Sequence, residues 1–158
     1  MTRHVLGLAL VSLLLCVQAS AVSSLAAQSG GGANVLPKVI AYKDPNCGCC
    51  TLWIAHMKRA GFAVTAVNTP DMTAVRREYG VPGPVQSCHT AVVDGFVVEG
   101  HVPADDVKRL LKERPKVVGL AVPGMPLGSP GMEQGGTKEP YKVLTFDQAG
   151  KTTVFANR

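Results

Sequence analysis

No segment of this 158-residue chain reaches the roughly 20 consecutive apolar residues that a helix needs to cross a bilayer. A stable membrane span is therefore not expected. Aromatic residues make up only 5% of the chain, and nowhere do they interleave with a basic block. The net charge of +5 is spread over helical segments with intervening acids. That pattern argues against binding to nucleic acid. Internal repeats are also lacking, apart from two matched settings of methionine, "PGMP" at Met125 and "PGME" at Met132.

What is present begins with an export signal. "MTRH" is a short basic start, followed by the 13-residue apolar run "VLGLALVSLLLCV" and by Ala19 and Ala21 in an A-x-A arrangement. This reads as a secretory signal peptide over residues 1–21, cut after Ala21, with Ala26 as a second possible cleavage site. Cys16 lies inside the run and follows Leu15 rather than a small residue, which disfavours a lipoprotein. Residues 22–34 are small and polar and read as a flexible linker. The exported, periplasmic protein of about 137 residues is long enough to bury a core without disulfides. It keeps Cys47, Cys49, Cys50 and Cys88, and in an oxidising compartment an even cysteine count ordinarily means structural disulfides.

The order of elements is β-α-β-α-β-β-α. "VLPKVIAY" is a β-rich strand that ends at the turn-rich "KDPNCGCC". "CTLWIAHMKRAG" reads as a helix stopped by Gly61, and "FAVTAVN" as a second strand. "TPDMTAVRREYG" is expected as a helix with Thr69 as cap and Pro70 in its first position. "HTAVVDGFVVEG" holds two strands joined at Asp94-Gly95, a strong hairpin signal. "VPADDVKRLLKERP" is a third helix, with its acids in the first turn as the dipole prefers. A C-x-x-C leading into the first helix of a βαβ pattern is the thioredoxin-type signature. The expected fold class is thus α/β and thioredoxin-like over residues 35–115. Residues 116–158 form an extension rich in glycine, proline and methionine. Its Gly/Pro-rich part cannot hold regular structure for long, and it ends in a β-hairpin formed by "YKVLTF" and "KTTVFA".

"DPNCGCCTLW" places three cysteines in four positions at a helix start, where unpaired N–H groups and the dipole favour thiolate over thiol. Three readings compete. A Cys47–Cys50 disulfide closes too short a loop to stabilise much. A dithiol oxidoreductase has no need of Cys49, which would compete in pairing. A metal site would neutralise the crowded thiolates. Zinc would need a fourth ligand such as Cys88, while Cu(I) is softer and tolerates bridging thiolates. Cys88 lies in "QSCHT", before the third strand, in the loop expected to face the C-x-x-C. His89 is a candidate ligand or hydrogen-bonding neighbour of a metal. Met125 and Met132 are soft thioether candidates, or else loop residues packed on a core. His101 reads as a turn residue, and His56 as a solvated helix residue some 10 Å along the helix from Cys49. Trp53 and Met57 read as core.

"DPNCGCCTLW", "SCHTAVVDGFVVEGHVP" and "GLAVPGMPLGSPGME", in that order, resemble the CopG-like family of exported bacterial copper-resistance proteins. The resemblance runs from about residue 37 to residue 156. It implies a thioredoxin-like fold whose extension contributes to a metal site. It also implies a multinuclear, thiolate-bridged copper cluster that interconverts Cu(I) and Cu(II). Cys47, Cys49 and Cys50 would then be bridging thiolates and Cys88 the fourth cysteine. The expected partners are copper ions and copper efflux or redox proteins, with the protein itself a monomer. The alternatives are a metal-free thiol-disulfide oxidoreductase and a passive copper chaperone.

Overall fold

The computed structural model describes residues 35–158. The signal peptide and the linker expected over residues 1–34 lie outside the described residues. The first strand, β1 (Val39–Lys43), leads through a tight loop into α1 (Gly48–Arg59). Then follow β2 (Val64–Asn68), α2 (Met72–Glu78), a single 3-10 turn over Gly83–Val85, β3 (His89–Val93), β4 (Phe96–Glu99) and α3 (Ala104–Glu113). The remaining chain adds β5 (Gly119–Ala121), β6 (Lys142–Phe146) and β7 (Thr152–Asn157). The protein is a mixed α/β structure built on one sheet in the order β2-β1-β3-β4-β5-β6-β7.

β1 and β2 run parallel, β3 pairs antiparallel with β1, and β4 pairs antiparallel with β3. This is the β-α-β-α-β-β-α connectivity anticipated from the sequence. The β3–β4 turn follows from its residues: Asp94 (φ 47°) and Gly95 (φ 84°) both take the left-handed conformation that a two-residue hairpin requires.

Two expectations need correction. The second helix is capped by Asp71, whose carboxylate accepts from the Ala74 N–H at 2.8 Å. Pro70 lies before the helix, and Thr69 Oγ1 instead accepts from the Asp71 N–H. The glycine- and proline-rich stretch after Pro115 is also not irregular from its start. Gly119–Ala121 forms β5, parallel to β4 and antiparallel to β6. Gly119 permits this because a β-carbon there would collide with the Val97 backbone. The predicted terminal hairpin is present as β6–β7, which continues the sheet.

Alternation along the central strands divides the core. Val98 and Leu120 face one side with Trp53, Met57, Val107 and Leu110, so α1 and α3 cover that face. Val97 and Ala121 face the other side with Val81, Val85 and Phe146. Complete burial of a side chain such as Leu110 or Leu120 contributes about 1.5–3 kcal/mol. Trp53 is fully buried, and its indole N–H donates to the Val102 carbonyl at 2.9 Å, tying α1 to the segment that enters α3.

Candidate metal centre

The loop between β1 and α1 is fixed from both sides. The buried Lys43 ammonium donates to the carbonyls of Asp44 (2.9 Å) and Pro45 (3.3 Å) and to Asn68 Oδ1 (3.4 Å). Asp44 Oδ1 accepts from the Asn46 N–H at 2.8 Å, and the Asp44 carbonyl accepts from the Cys47 N–H at 3.0 Å. The chain therefore turns sharply and delivers Cys47 to the N-cap of α1, where its sulfur accepts from the Cys50 N–H at 3.3 Å. Cys47 and Cys50 are joined as a disulfide, with Cα atoms 5.4 Å apart. Cys49 and Cys88 are free thiols. Cys49 Sγ lies 3.5 Å from Cys47 Sγ and 4.0 Å from Cys88 Sγ, and Cys50 Sγ lies 3.8 Å from the Cys88 carbonyl oxygen. The four sulfurs lie within 4.8 Å of one another, an arrangement that could hold a metal ion.

The opposite wall is assembled around Cys88. Glu99 is completely buried at the end of β4. Its Oε1 accepts from the Ser87 N–H (2.7 Å) and from Arg76 Nε (3.2 Å), and its Oε2 accepts from the Thr90 hydroxyl (2.6 Å). Arg76 also donates to the Ser87 carbonyl. The residues flanking the Cys88–His89 pair are thus clamped by one ion pair. Burial pushes the Glu99 carboxyl above its ordinary range, against the lowering effect of Thr90, Ser87 and Arg76.

His101 is a candidate ligand that the sequence reading missed. It lies in the bend between β4 and α3, as a turn residue would, but is fully buried, with Nε2 2.9 Å from Cys88 Sγ. Its Nδ1 lies 2.7 Å from the Pro130 carbonyl, which can only accept, so the ring proton sits on Nδ1 and the Nε2 lone pair faces the thiol. The hairpin held a signal for this. β3 and β4 pair Thr90 with Glu99, and continuing that register by two places brings Cys88 opposite His101.

His89 is buried with Nδ1 3.4 Å from Cys88 Sγ. Its ring packs 4.4 Å from that of Trp53 and 5.1 Å from that of His101. Burial holds His101 below its ordinary pKa. It holds His89 far below, with the positive charges that His101 and Arg76 can carry adding to the effect. Both imidazoles are therefore neutral and able to act as ligands. Burial, with Cys49 beside it, pushes the Cys88 thiol up to about 12. Without a metal Cys88 is protonated, and binding would have to release that proton.

The C-terminal extension reaches this site through its backbone. Besides the Pro130 carbonyl on His101, Gly131 presses on α1. A β-carbon there would stand 2.7 Å from the Trp53 nitrogen and 2.8 Å from the Cys49 carbonyl oxygen. Met125 follows Gly124, whose carbonyl accepts from the Ser87 hydroxyl, and its side chain is half-exposed. Met132 is partly buried, and its N–H donates to the Ser129 carbonyl at 2.8 Å. His56 is not solvated as expected. It is half-buried, and its Nε2 accepts from the Ala104 N–H at 3.0 Å, capping α3 where Pro103 offers no side-chain cap.

A cluster of half-buried thiols and buried imidazoles at a helix start, on an α/β sheet, defines a candidate soft-metal or redox protein. Residues 85–132 match a family described as a protein of unknown function, DUF411. No curated protein sequence matches the chain. Two solved structures of a copper resistance protein copG, described as Form 1 and Form 2, are each 47% identical to it. Each match covers 78% of this chain and 98% of that one, with a TM-score of 0.74. The chain belongs to the family of this copper resistance protein.

Proposed function

We propose that this chain is an exported, periplasmic copper protein of thioredoxin-like architecture, acting in copper resistance and homeostasis. Its substrate is copper, held on a cysteine-bridged, multinuclear site and interconverted there between Cu(I) and Cu(II). Cys47, Cys49, Cys50 and Cys88 are the thiolate ligands, with His89 and the thioethers of Met125 and Met132 completing the set. The observation that carries this reading is the convergence of four sulfurs within 4.8 Å. A dithiol mechanism needs two of them, whereas thiolates bridging several soft ions account for all four. Reduction of the Cys47–Cys50 disulfide by a dithiol donor, which gives up two electrons and two protons and leaves as its own disulfide, frees the two thiols that complete the group. The approach of Pro130 to His101 and of Gly131 to α1 supports the role of residues 116–158 as a site-completing extension of a unit spanning residues 35–115. The protein acts as a monomer and passes copper or electrons to efflux or redox partners.

The test is metal analysis of the full chain, fully reduced, after isolation from copper-supplied cells. More than one copper per chain is expected, falling sharply in Cys49→Ser. Zinc in place of copper, or copper content indifferent to that substitution, would overturn the reading.

A second reading has its own observation. The Cys47–Cys50 disulfide at the start of α1 is the arrangement of a thiol-disulfide oxidoreductase. Disulfide-reductase activity that survives in Cys49→Ser, in a chain that retains no copper, would favour it. A passive chaperone shares all these ligands and would differ in failing to turn copper over with an electron donor.

A further inference from the structure

The sheet ends on two edges that are built differently. At β7, Arg109 donates to the Phe155 carbonyl at 2.6 Å and lies 3.6 Å over the Phe155 ring, and the pairing with β6 is irregular between Val143 and Leu144. Charge and irregular pairing are the usual guards of an exposed edge. β2, at the other end of the sheet, has neither. Its sequence "VTAVN" carries no charge and no proline, and its register with β1 is unbroken.

The ladder fixes which groups of β2 are free. The Val39 N–H donates to the Ala63 carbonyl, and the Thr69 N–H donates to the Lys43 carbonyl. Alternation along the parallel ladder then turns the N–H and C=O of Thr65 and Val67 toward β1 as well. Those of Val64, Ala66 and Asn68 point outward, with no backbone partner among the described residues.

We propose that this edge pairs with the β2 edge of a second copy of the chain, antiparallel about a two-fold axis at Ala66. Ala66 then faces the same residue of the second copy and Val64 faces its Asn68, so each outward N–H meets a C=O. The small Ala66 leaves room at the axis. Thr65 comes opposite Val67, a β-branched pair of the kind that stabilises cross-strand contacts.

Charge selects a second copy over an unrelated strand. Because β1 and β2 are parallel, Lys38, Lys58 and Arg59 lie at the end where these strands start, and Asp44 and Asp71 at the end where they stop. The three cations and Asp71 are exposed. The Lys43 ammonium at the acidic end is buried on neighbouring oxygens. An antiparallel axis brings the basic end of each copy to the acidic end of the other, which both attracts and orients the pair. Two five-residue strands make a small interface, so the association is reversible and concentration-dependent. The four sulfurs all come from one copy, and the monomer remains the copper-handling unit proposed above.

The test measures the mass of the purified, naturally processed chain by sedimentation from micromolar to millimolar concentration, with amide hydrogen exchange in parallel. A reversible dimer is expected, weakened by salt, with the Val64, Ala66 and Asn68 amides slowing as it forms. Ala66→Pro deletes an outward N–H without touching the β1 ladder and should abolish the dimer. Lys58→Glu with Arg59→Glu should weaken it by roughly two- to fivefold for each ion pair lost. A monomer throughout the range, with freely exchanging amides, would overturn the proposal. Amides already slow in the monomer would overturn it too, since another segment of the same chain would then cover the edge. A dimer indifferent to Ala66→Pro would do the same. If that variant does not fold, exchange at the three amides of the unsubstituted chain decides. The measurement needs no copper, so its failure leaves the proposed function standing, and a failure to bind copper leaves this inference standing.

Discussion

Cys47, Cys49 and Cys50 come from one turn of chain at the start of α1, whereas Cys88, His89 and His101 come from a loop, a strand and the exit of a hairpin. The first wall is held by short-range bonds: the Asp44 turn, the N-cap sulfur and the Lys43 ammonium on neighbouring carbonyls. The second is held by groups far apart in sequence, with Glu99, Arg76 and Pro130 all closing on residues 87–101. A motif can build a reactive helix start almost by itself. A buried sulfur–imidazole pair needs the sheet to align it and an extension to cover it.

Substitutions that attack one wall and spare the other test this difference. The largest effect is expected at Glu99. Glu99→Ala leaves Arg76, the Ser87 N–H and the Thr90 hydroxyl without their acceptor, and should cost about 3–5 kcal/mol in a denaturant titration. Glu99→Gln should cost less. The pH dependence has a definite sign. Burial raises the folded pKa of Glu99, so the folded chain holds the proton to higher pH than the unfolded one. The stability that this group contributes is full below its ordinary value and is lost as pH rises through the folded value. The stability gap between the unsubstituted chain and Glu99→Gln should therefore narrow as pH rises from acid to neutral. A gap that widens instead would show that the Arg76 pairing outweighs burial.

Gly131→Ala comes next. It forces a β-carbon against the Trp53 nitrogen and the Cys49 carbonyl at a φ of +86°. A loss of about 1–3 kcal/mol is expected. The His101 Nδ1–H resonance should lose its protection as Pro130 is displaced, while the Cys47–Cys50 pairing by mass analysis stays unchanged. An equal disturbance of both walls would mean that the extension organises the whole site rather than its imidazole side.

The smallest effect is expected at His56, which joins α1 to the start of α3 away from both walls. His56→Ala removes the acceptor for the Ala104 N–H and should cost about 1 kcal/mol at neutral pH. Burial, with Arg59 adding to it, lowers the His56 pKa, so the unfolded chain takes up the proton first as pH falls. Its contribution is present above the ordinary histidine value and fades below it. Melting curves at about pH 7.5 and about pH 5.5 should show a smaller acid-induced loss in the variant than in the unsubstituted chain. His89 and His101 carry lowered pKa values as well, so some acid sensitivity must remain.

The sequence by itself determined every feature that rests on local backbone preference. The helix start at the cysteines, the Asp94-Gly95 hairpin, the three helices and the terminal hairpin are set by turn chemistry and apolar spacing, which act over a few residues. Cys88 could also be directed at the C-x-x-C from element order alone. The tertiary structure decided what depends on strand register and long-range approach. β5 was hidden because its pairing depends on Gly119 meeting Val97 across the sheet, in a stretch whose composition reads as loop. The role of His56 at the start of α3 emerged only when two helices were brought together. His101 looked like a turn residue because burial is a property of what packs around a side chain. Only the folded extension supplies the Pro130 carbonyl that fixes its tautomer, and only the paired hairpin brings it opposite Cys88.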